Sequence, residues 1–280
     1  GDVSQNTQPV VPGSIPESTF HPMKGPMTTQ TLRGLKHAGG QHWRGDRVDG
    51  FFGTDDCTQP ESQGAPCNGD FSFTNFSAAF EGLLGREEPL SAGEMEKFAR
   101  FAQSLMLPPN PERNFDTDPS ALTPDQLAGA LIFVGDEGRI TDGSFNCQDC
   151  HTLDASRGLF GTGGQQTFEG ETQNFKVPHL RNQYTKVGMF GTNRGDGDPH
   201  MGDQIRGFGF LHDGAVDTLV TFLAADVFNL TQTEREQTAE TMMVFDTDVA
   251  PIVGQQVTLT STNAGAADPR IDLLIERAST

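Results

Sequence analysis

The chain contains the run Cys147-Gln148-Asp149-Cys150-His151: two cysteines three positions apart, with a histidine directly after the second. This C-x-x-C-H spacing is that of a c-type haem attachment site. The two thiols add to the two vinyl groups of the porphyrin, and a two-residue spacer matches the separation of those groups on the ring edge. The histidine that follows then lies beneath the iron as proximal ligand. Two other readings of a C-x-x-C pair are weaker. A thioredoxin-like redox pair expects a strand before it and a helix after it, whereas here the flanks at 138–144 and 152–154 are turn-rich. A zinc site needs two more Cys or His ligands at similar spacing, and the sequence has none. The motif therefore predicts one covalent haem c held by Cys147, Cys150 and His151.

The other two cysteines, Cys57 and Cys67, bracket a polar loop. Covalent haem is attached in an oxidising compartment, where a disulfide between them is the expected state. Closing so short a loop is worth about 2–3 kcal/mol in the chain-entropy model. The expected location is periplasmic or extracellular, with any export signal already removed. Charge narrows the partners. The 280 residues hold 19 Lys+Arg against 38 Asp+Glu, a net charge of −19. Such a chain repels phosphate backbones, which excludes nucleic acid as the expected partner. No apolar run approaches the ~18 residues of a membrane span, so no transmembrane segment is expected. Aromatic usage is lopsided, with Phe 21 against Trp 1 and Tyr 1, beside Gly 33 and Pro 17. That composition suggests a loop-rich protein with short helices and a Phe-lined interior.

Periodicity gives a mostly α class. Residues 1–30 hold five prolines and read as an extended N-terminal arm. Ser91-x-x-Glu94 is a capping box. Met95, Phe98, Ala102 and Leu105 continue at helical spacing, which predicts a helix over 91–106 that stops before Pro108-Pro109-Asn110-Pro111. Thr123-Pro124 starts a second helix with Pro at its first position. Leu127, Leu131 and Val134 mark its expected apolar face, and Gly135 ends it. Val216, Leu219, Val220, Leu223 and Val227 predict a helix over 215–228, and Thr233-x-x-Glu236 caps another that runs to about Phe245. The best strand signal is weak, at Gln256–Thr260.

The two halves read as a repeat. The second carries Leu180-Arg181-Asn182, then Leu211-His212-Asp213-Gly214, then two helices. The first carries Leu32-Arg33-Gly34, then His42-Trp43-Arg44-Gly45-Asp46, an apolar stretch over 76–84 and the capped helix at 91. Cys147 lies 33 residues before Leu180, and the same offset from Leu32 falls just ahead of Gly1. A first haem motif, if the halves are duplicates, is lost, cut away or upstream.

These landmarks resemble the bacterial di-haem cytochrome c peroxidase and MauG-like family, over roughly residues 27–245. In that family the C-terminal lobe carries C-x-x-C-H, then K-x-P-x-L-R-N, a Phe-His-Asp-Gly turn, and T-L before a helix. Here these are Cys147–His151, Lys176-Val177-Pro178-His179-Leu180-Arg181-Asn182, Leu211–Gly214 and Thr218-Leu219. Leu32–Gly34 and His42–Arg47 look like diverged counterparts from the N-terminal lobe. The resemblance implies a diverged cytochrome-c-like lobe without a haem motif over 31–115, followed by a cytochrome-c-like haem lobe over 116–280. The family does its peroxide chemistry at the N-terminal haem and takes in electrons at the C-terminal one. This chain keeps only the second motif, which implies an electron-transfer lobe more than a complete peroxidase. About 20 residues also separate Gly191 from His212, where the family runs directly from L-R-N to the turn, and the insertion is read as Thr192–Asp203.

The sixth iron ligand separates the functions. Met189 lies 38 residues after His151 in a glycine-flanked loop and is the first candidate. His200, Met201, His212, Met242 and Met243 are the others. The family's usual methionine after the H-D-G helix has no counterpart in Ala225–Phe228. Arg181 is the candidate partner of a haem propionate, since a guanidinium forms two bonds to a carboxylate. His179 is a second candidate for that role. Trp43 and Arg44 sit in the pseudo-equivalent place of the first half, where packing is the expected role. Asn193, Asp196, Asp198 and Asp203 are oxygen donors on a Gly-rich loop, so calcium is a further candidate cofactor, though EF-hand spacing is absent. The expected function is electron transfer with a redox protein of basic surface, drawn in by the acidic charge. The alternative is a peroxidase-like or MauG-like haem enzyme acting on hydrogen peroxide, with His212 as the catalytic proton-moving group.

Overall fold

A computed structural model describes residues 27–35, 43, 73–74, 76–113, 121–151, 178–188, 207–214, 216–247 and 249–279, with four two-residue strands between 153 and 176. The described part is mostly helical. In chain order the helices are α1 (Ser77–Gly82), α2 (Ala92–Gln103), α3 (Pro124–Val134), α4 (Cys147–Cys150), α5 (Leu219–Phe222), α6 (Gln232–Met243) and α7 (Ala264–Ser279). The strands β1 (Leu153–Asp154) and β2 (Leu159–Phe160) pair antiparallel, as do β3 (Gln165–Gln166) and β4 (Phe175–Lys176). No described helix is long and apolar enough to cross a membrane.

The helix starts follow from capping chemistry. Ser91, Thr123 and Asn146 each accept from a backbone N–H three residues on, and Glu94, Gln126 and Asp149 reach back to the cap's own N–H. Each box satisfies two donors that a helix N-terminus otherwise leaves unpaired. The α6 box is Thr231 with Glu234, two residues earlier than the Thr233-x-x-Glu236 expectation. Both spacings fit the pattern, and Thr231 is the residue with the extended backbone of a cap. Gly135 ends α3 in the left-handed conformation, at φ 70°. A side chain at Gly135 would lie 2.5 Å from the Asn146 amide, so the stop of α3 and the start of α4 touch there.

Two cores form. Phe73, Met95, Ala99 and Ala102 pack together with Leu35, Phe80 and Leu90 around α2. The larger core joins Phe133, Leu180, Phe210, Leu219, Leu223, Leu230, Ala239 and Met242, with Cys147 and Phe245 at its margin. Its spine is the crossing of α3 and α6. At the crossing point sits Gly129, where an added Cβ would lie 2.0 Å from the Gln237 carbonyl oxygen and 2.5 Å from Thr241 Oγ1. The Thr241 hydroxyl donates to the Gln126 carbonyl across the same contact.

This crossing overturns the expected face of α3. Gly129 and Phe133 are its buried positions, whereas Leu127, Leu131 and Val134 are 52%, 44% and 40% exposed. The helix is apolar on two sides, so periodicity alone could not choose between them. Three other expectations are corrected. Of the helix expected over 215–228, the described residues 216–228 hold only the single turn α5, because Val216 pairs in a β-bridge with Phe210 and the helix starts at its Thr218 cap. Residues 256–260 form no strand, and α7 follows them without having been anticipated. The 91 helix closes at Gln103, short of 106. The 76–84 apolar stretch contains α1.

The segment 27–35 joins both cores. Gly34 N–H donates to the Leu105 carbonyl and Thr28 N–H to the His212 carbonyl, each at under 3 Å (2.7 and 2.8 Å). The guanidinium of Arg181 donates to the Gly34 carbonyl at 3.3 Å.

Candidate functional site

Cys147, Cys150 and His151 come from one turn of helix and the residue that ends it. Asn146 and Asp149 cap that turn, and His151 N–H closes it on the Cys147 carbonyl at 2.8 Å. The turn is held by the 139–146 loop. Thr141 and Asp142 N–H groups donate to the Phe145 carbonyl, Asn229 N–H donates to the Thr141 carbonyl, and Asp142 bridges to Phe228. Arg139 pins the loop to the start of α6 by bonds of 2.9 Å to the Asn229 carbonyl and to Glu234. The fully buried Thr141 hydroxyl lies 3.6 Å from the Cys147 sulfur.

Both sulfurs are free thiols. Burial pushes the Cys147 and Cys150 thiols up from their ordinary range, and the carboxylates of Asp142 and Asp149 add to the rise. They are therefore protonated at neutral pH and poor thiolate nucleophiles, unlike an activated redox pair.

His151 is held on two sides. Its ring lies 6.5 Å from that of Phe133, which itself stacks edge-on to Phe245 at 5.3 Å. Its Nδ1 is 3.0 Å from the Pro178 carbonyl oxygen. A carbonyl only accepts, so Nδ1 must carry the proton and Nε2 holds the lone pair. Burial lowers the ring's pKa to about 4, the Pro178 bond opposing the fall, so the ring is neutral at pH 7. An imidazole fixed as this tautomer by a backbone carbonyl is the usual state of a metal-ligating histidine.

The depressed pKa carries a pH signature. In the chain without cofactor, His151 takes up its proton near pH 4 when folded and near 6.5 when unfolded. Its contribution to stability is complete above pH 6.5 and is lost as pH falls through 4, by up to about 3 kcal/mol over that window. Urea midpoints at pH 7 and 4.5 should therefore fall further for the native sequence than for His151→Gln. Parallel falls would contradict the assignment.

The bond to Pro178 brings the motif against the segment Pro178–Asn182. Leu180 enters the larger core, and Arg181 is 1% exposed with its guanidinium directed to Gly34. His179 is half-buried, and its carbonyl accepts from Gln183 Nε2 at 3.4 Å. His212 is also buried, 9% exposed, in a turn whose preceding residue, Leu211, takes the left-handed conformation at φ 64°. Gly209 and Gly214 make that turn possible. A side chain on Gly214 would come within 2.0 Å of the Phe208 carbonyl oxygen. Trp43 donates from Nε1 to the Thr28 carbonyl, and its ring lies 5.0 Å beneath the ammonium of Lys186. That places Trp43 in a packing contact with the C-terminal half.

Several sequence candidates fall outside the described residues: the Cys57–Cys67 pair, Arg44, Met189, His200, Met201 and the acidic loop donors. Met242 lies in the larger core and Met243 packs at its edge. Sequence reasoning missed Gly129, Thr141 and the Pro178 carbonyl. Only Gly129 had a legible signal, a lone glycine inside an apolar helical pattern. No family model, curated protein or solved structure matches the chain.

Proposed function

We propose that the chain is a c-type cytochrome that carries one covalent haem and exchanges electrons with a redox protein outside the cytoplasm. The observation that carries this reading is the hydrogen bond from His151 Nδ1 to the Pro178 carbonyl. It leaves a neutral Nε2 as the ligand atom, directly after two protonated thiols on one helical turn. Cys147 and Cys150 would form the two thioether bonds, and His151 would supply the proximal nitrogen. Haem bound in this way supplies one-electron chemistry at its iron. The protein's own part is to hold. The Pro178 bond fixes the ring's tautomer and orientation, and Phe133 limits its tilt. Arg139 and the Asn146 box keep the cysteine turn in place. Met189 is the proposed sixth ligand, and Arg181 or His179 the proposed propionate partner. The fold that goes with this reading is a haem-bearing cytochrome-c-like lobe preceded by a diverged one of the di-haem peroxidase kind. A periplasmic or extracellular location follows from covalent haem attachment.

A second reading is peroxide chemistry with His212 moving protons. It draws on the buried His212 behind the left-handed Leu211, since backbone strain concentrates at functional sites. Optical spectra of the ferric and ferrous protein, with and without carbon monoxide, separate the two. An electron carrier with methionine in the sixth position gives a ferrous spectrum that carbon monoxide leaves unchanged and a long-wavelength sulfur-to-iron band when ferric. Ready binding of carbon monoxide would replace that reading with the second.

A further inference from the structure

The apolar stripe that α3 leaves in solvent ends beside the cysteine turn. Leu127, Leu131 and Val134 share one side of the helix at i, i+4 and i+7, opposite the side that packs on α6. The stripe runs to Gly135, whose position is in contact with the Asn146 side chain at the start of the motif. Ile140 and Phe145, in the loop between, are 40% and 47% exposed. Scattered exposed apolar residues are ordinary, but a run of them bordering one site marks an interaction surface.

Its rim is acidic. Asp136 and Glu137 are exposed directly after the stripe. Asp149 is exposed within the motif, and both it and Asp142 act electrostatically on the two thiols. An apolar centre with an acid rim on a chain of net charge −19 repels a second copy of itself and an anionic lipid surface. It complements a basic protein with an apolar centre.

We propose that the Leu127–Leu131–Val134 face of α3, with Ile140 and Phe145, is the docking surface for a basic electron-transfer protein. The proposal rests on the cytochrome reading for the partner's identity, but the surface is testable without it. The holoprotein would be titrated by interferometry against an immobilised small basic c-type cytochrome at low and at physiological salt. The variants are Leu127→Ser/Leu131→Ser, at two positions about half exposed whose folding is checked by urea unfolding, and Asp136→Asn/Glu137→Gln. The first pair should weaken binding about tenfold at both salt concentrations, as loss of a central apolar anchor does. The second should weaken it at low salt and flatten the salt dependence. Native affinity in both variants, or no measurable binding by the native protein, overturns the docking surface, as does salt-independent self-association that Leu127→Ser/Leu131→Ser abolishes. Failure of the cytochrome reading shows separately, as absence of covalent haem from the purified protein before any titration, and the same titration is then run on the haem-free chain.

Discussion

Gly129→Ala should destabilise the protein by about 2–3 kcal/mol, although alanine is the better helix former by about 1 kcal/mol. The added methyl would sit 2.0 Å from the Gln237 backbone oxygen, and a backbone atom cannot rotate away as a side chain can. Relief requires α3 and α6 to separate, which loosens the larger core behind Phe133 and thereby the ring that packs on His151. Gly93, in the first turn of α2, is the internal control. Nothing lies within 4 Å of its would-be Cβ, so Gly93→Ala should be neutral or stabilising by a few tenths to about 1 kcal/mol. Urea unfolding of both variants reads the two effects with opposite sign. A Gly129→Ala protein as stable as the native one would mean that the close crossing is not real.

The second large effect concerns attachment. In cells that mature c-type cytochromes, Cys147→Ser/Cys150→Ser should carry no covalent haem, a fall to background in haem-stained denaturing gels. Each single variant should keep one thioether bond and give a reduced yield. His151→Ala should stay covalently loaded but lose the spectrum of a histidine-ligated iron, because the thiols and the imidazole do separate jobs. If the double variant stained like the native protein, haem would be attached elsewhere and the motif reading would fall.

The sequence made local features legible and long-range ones hardly at all. The capping box at Ser91 and the Thr123-Pro124 helix start declare themselves because the residues that set them lie within four positions, although the same pattern placed the α6 cap two residues late. The Cys147–His151 run is similarly compact, two cysteines on one helical turn and the histidine that ends it. The choice of buried face on α3 was different. Leu127, Leu131 and Val134 form as good a stripe as the one used, and only the glycine at the α6 crossing decides between them. Val216 belonged by periodicity to a helix, yet its pairing with Phe210 across the H-D-G turn draws it into a bridge. The Pro178 carbonyl, 27 residues from the histidine that it orients, is a backbone atom with no compositional signature. Arg181 stood out for its charge, but its burial and its bond to Gly34 depend on how the 27–35 segment crosses to the C-terminal half.

The cytochrome proposal stands or falls on covalent haem at the Cys147–His151 turn. The most direct test is the mass of the proteolytic peptide that spans residues 147–151, taken from protein made with cytochrome c maturation and treated with a thiol alkylator after denaturation. The expected peptide is heavier by one haem, with neither Cys147 nor Cys150 alkylated. A peptide of unmodified mass, alkylated at both cysteines, would contradict it.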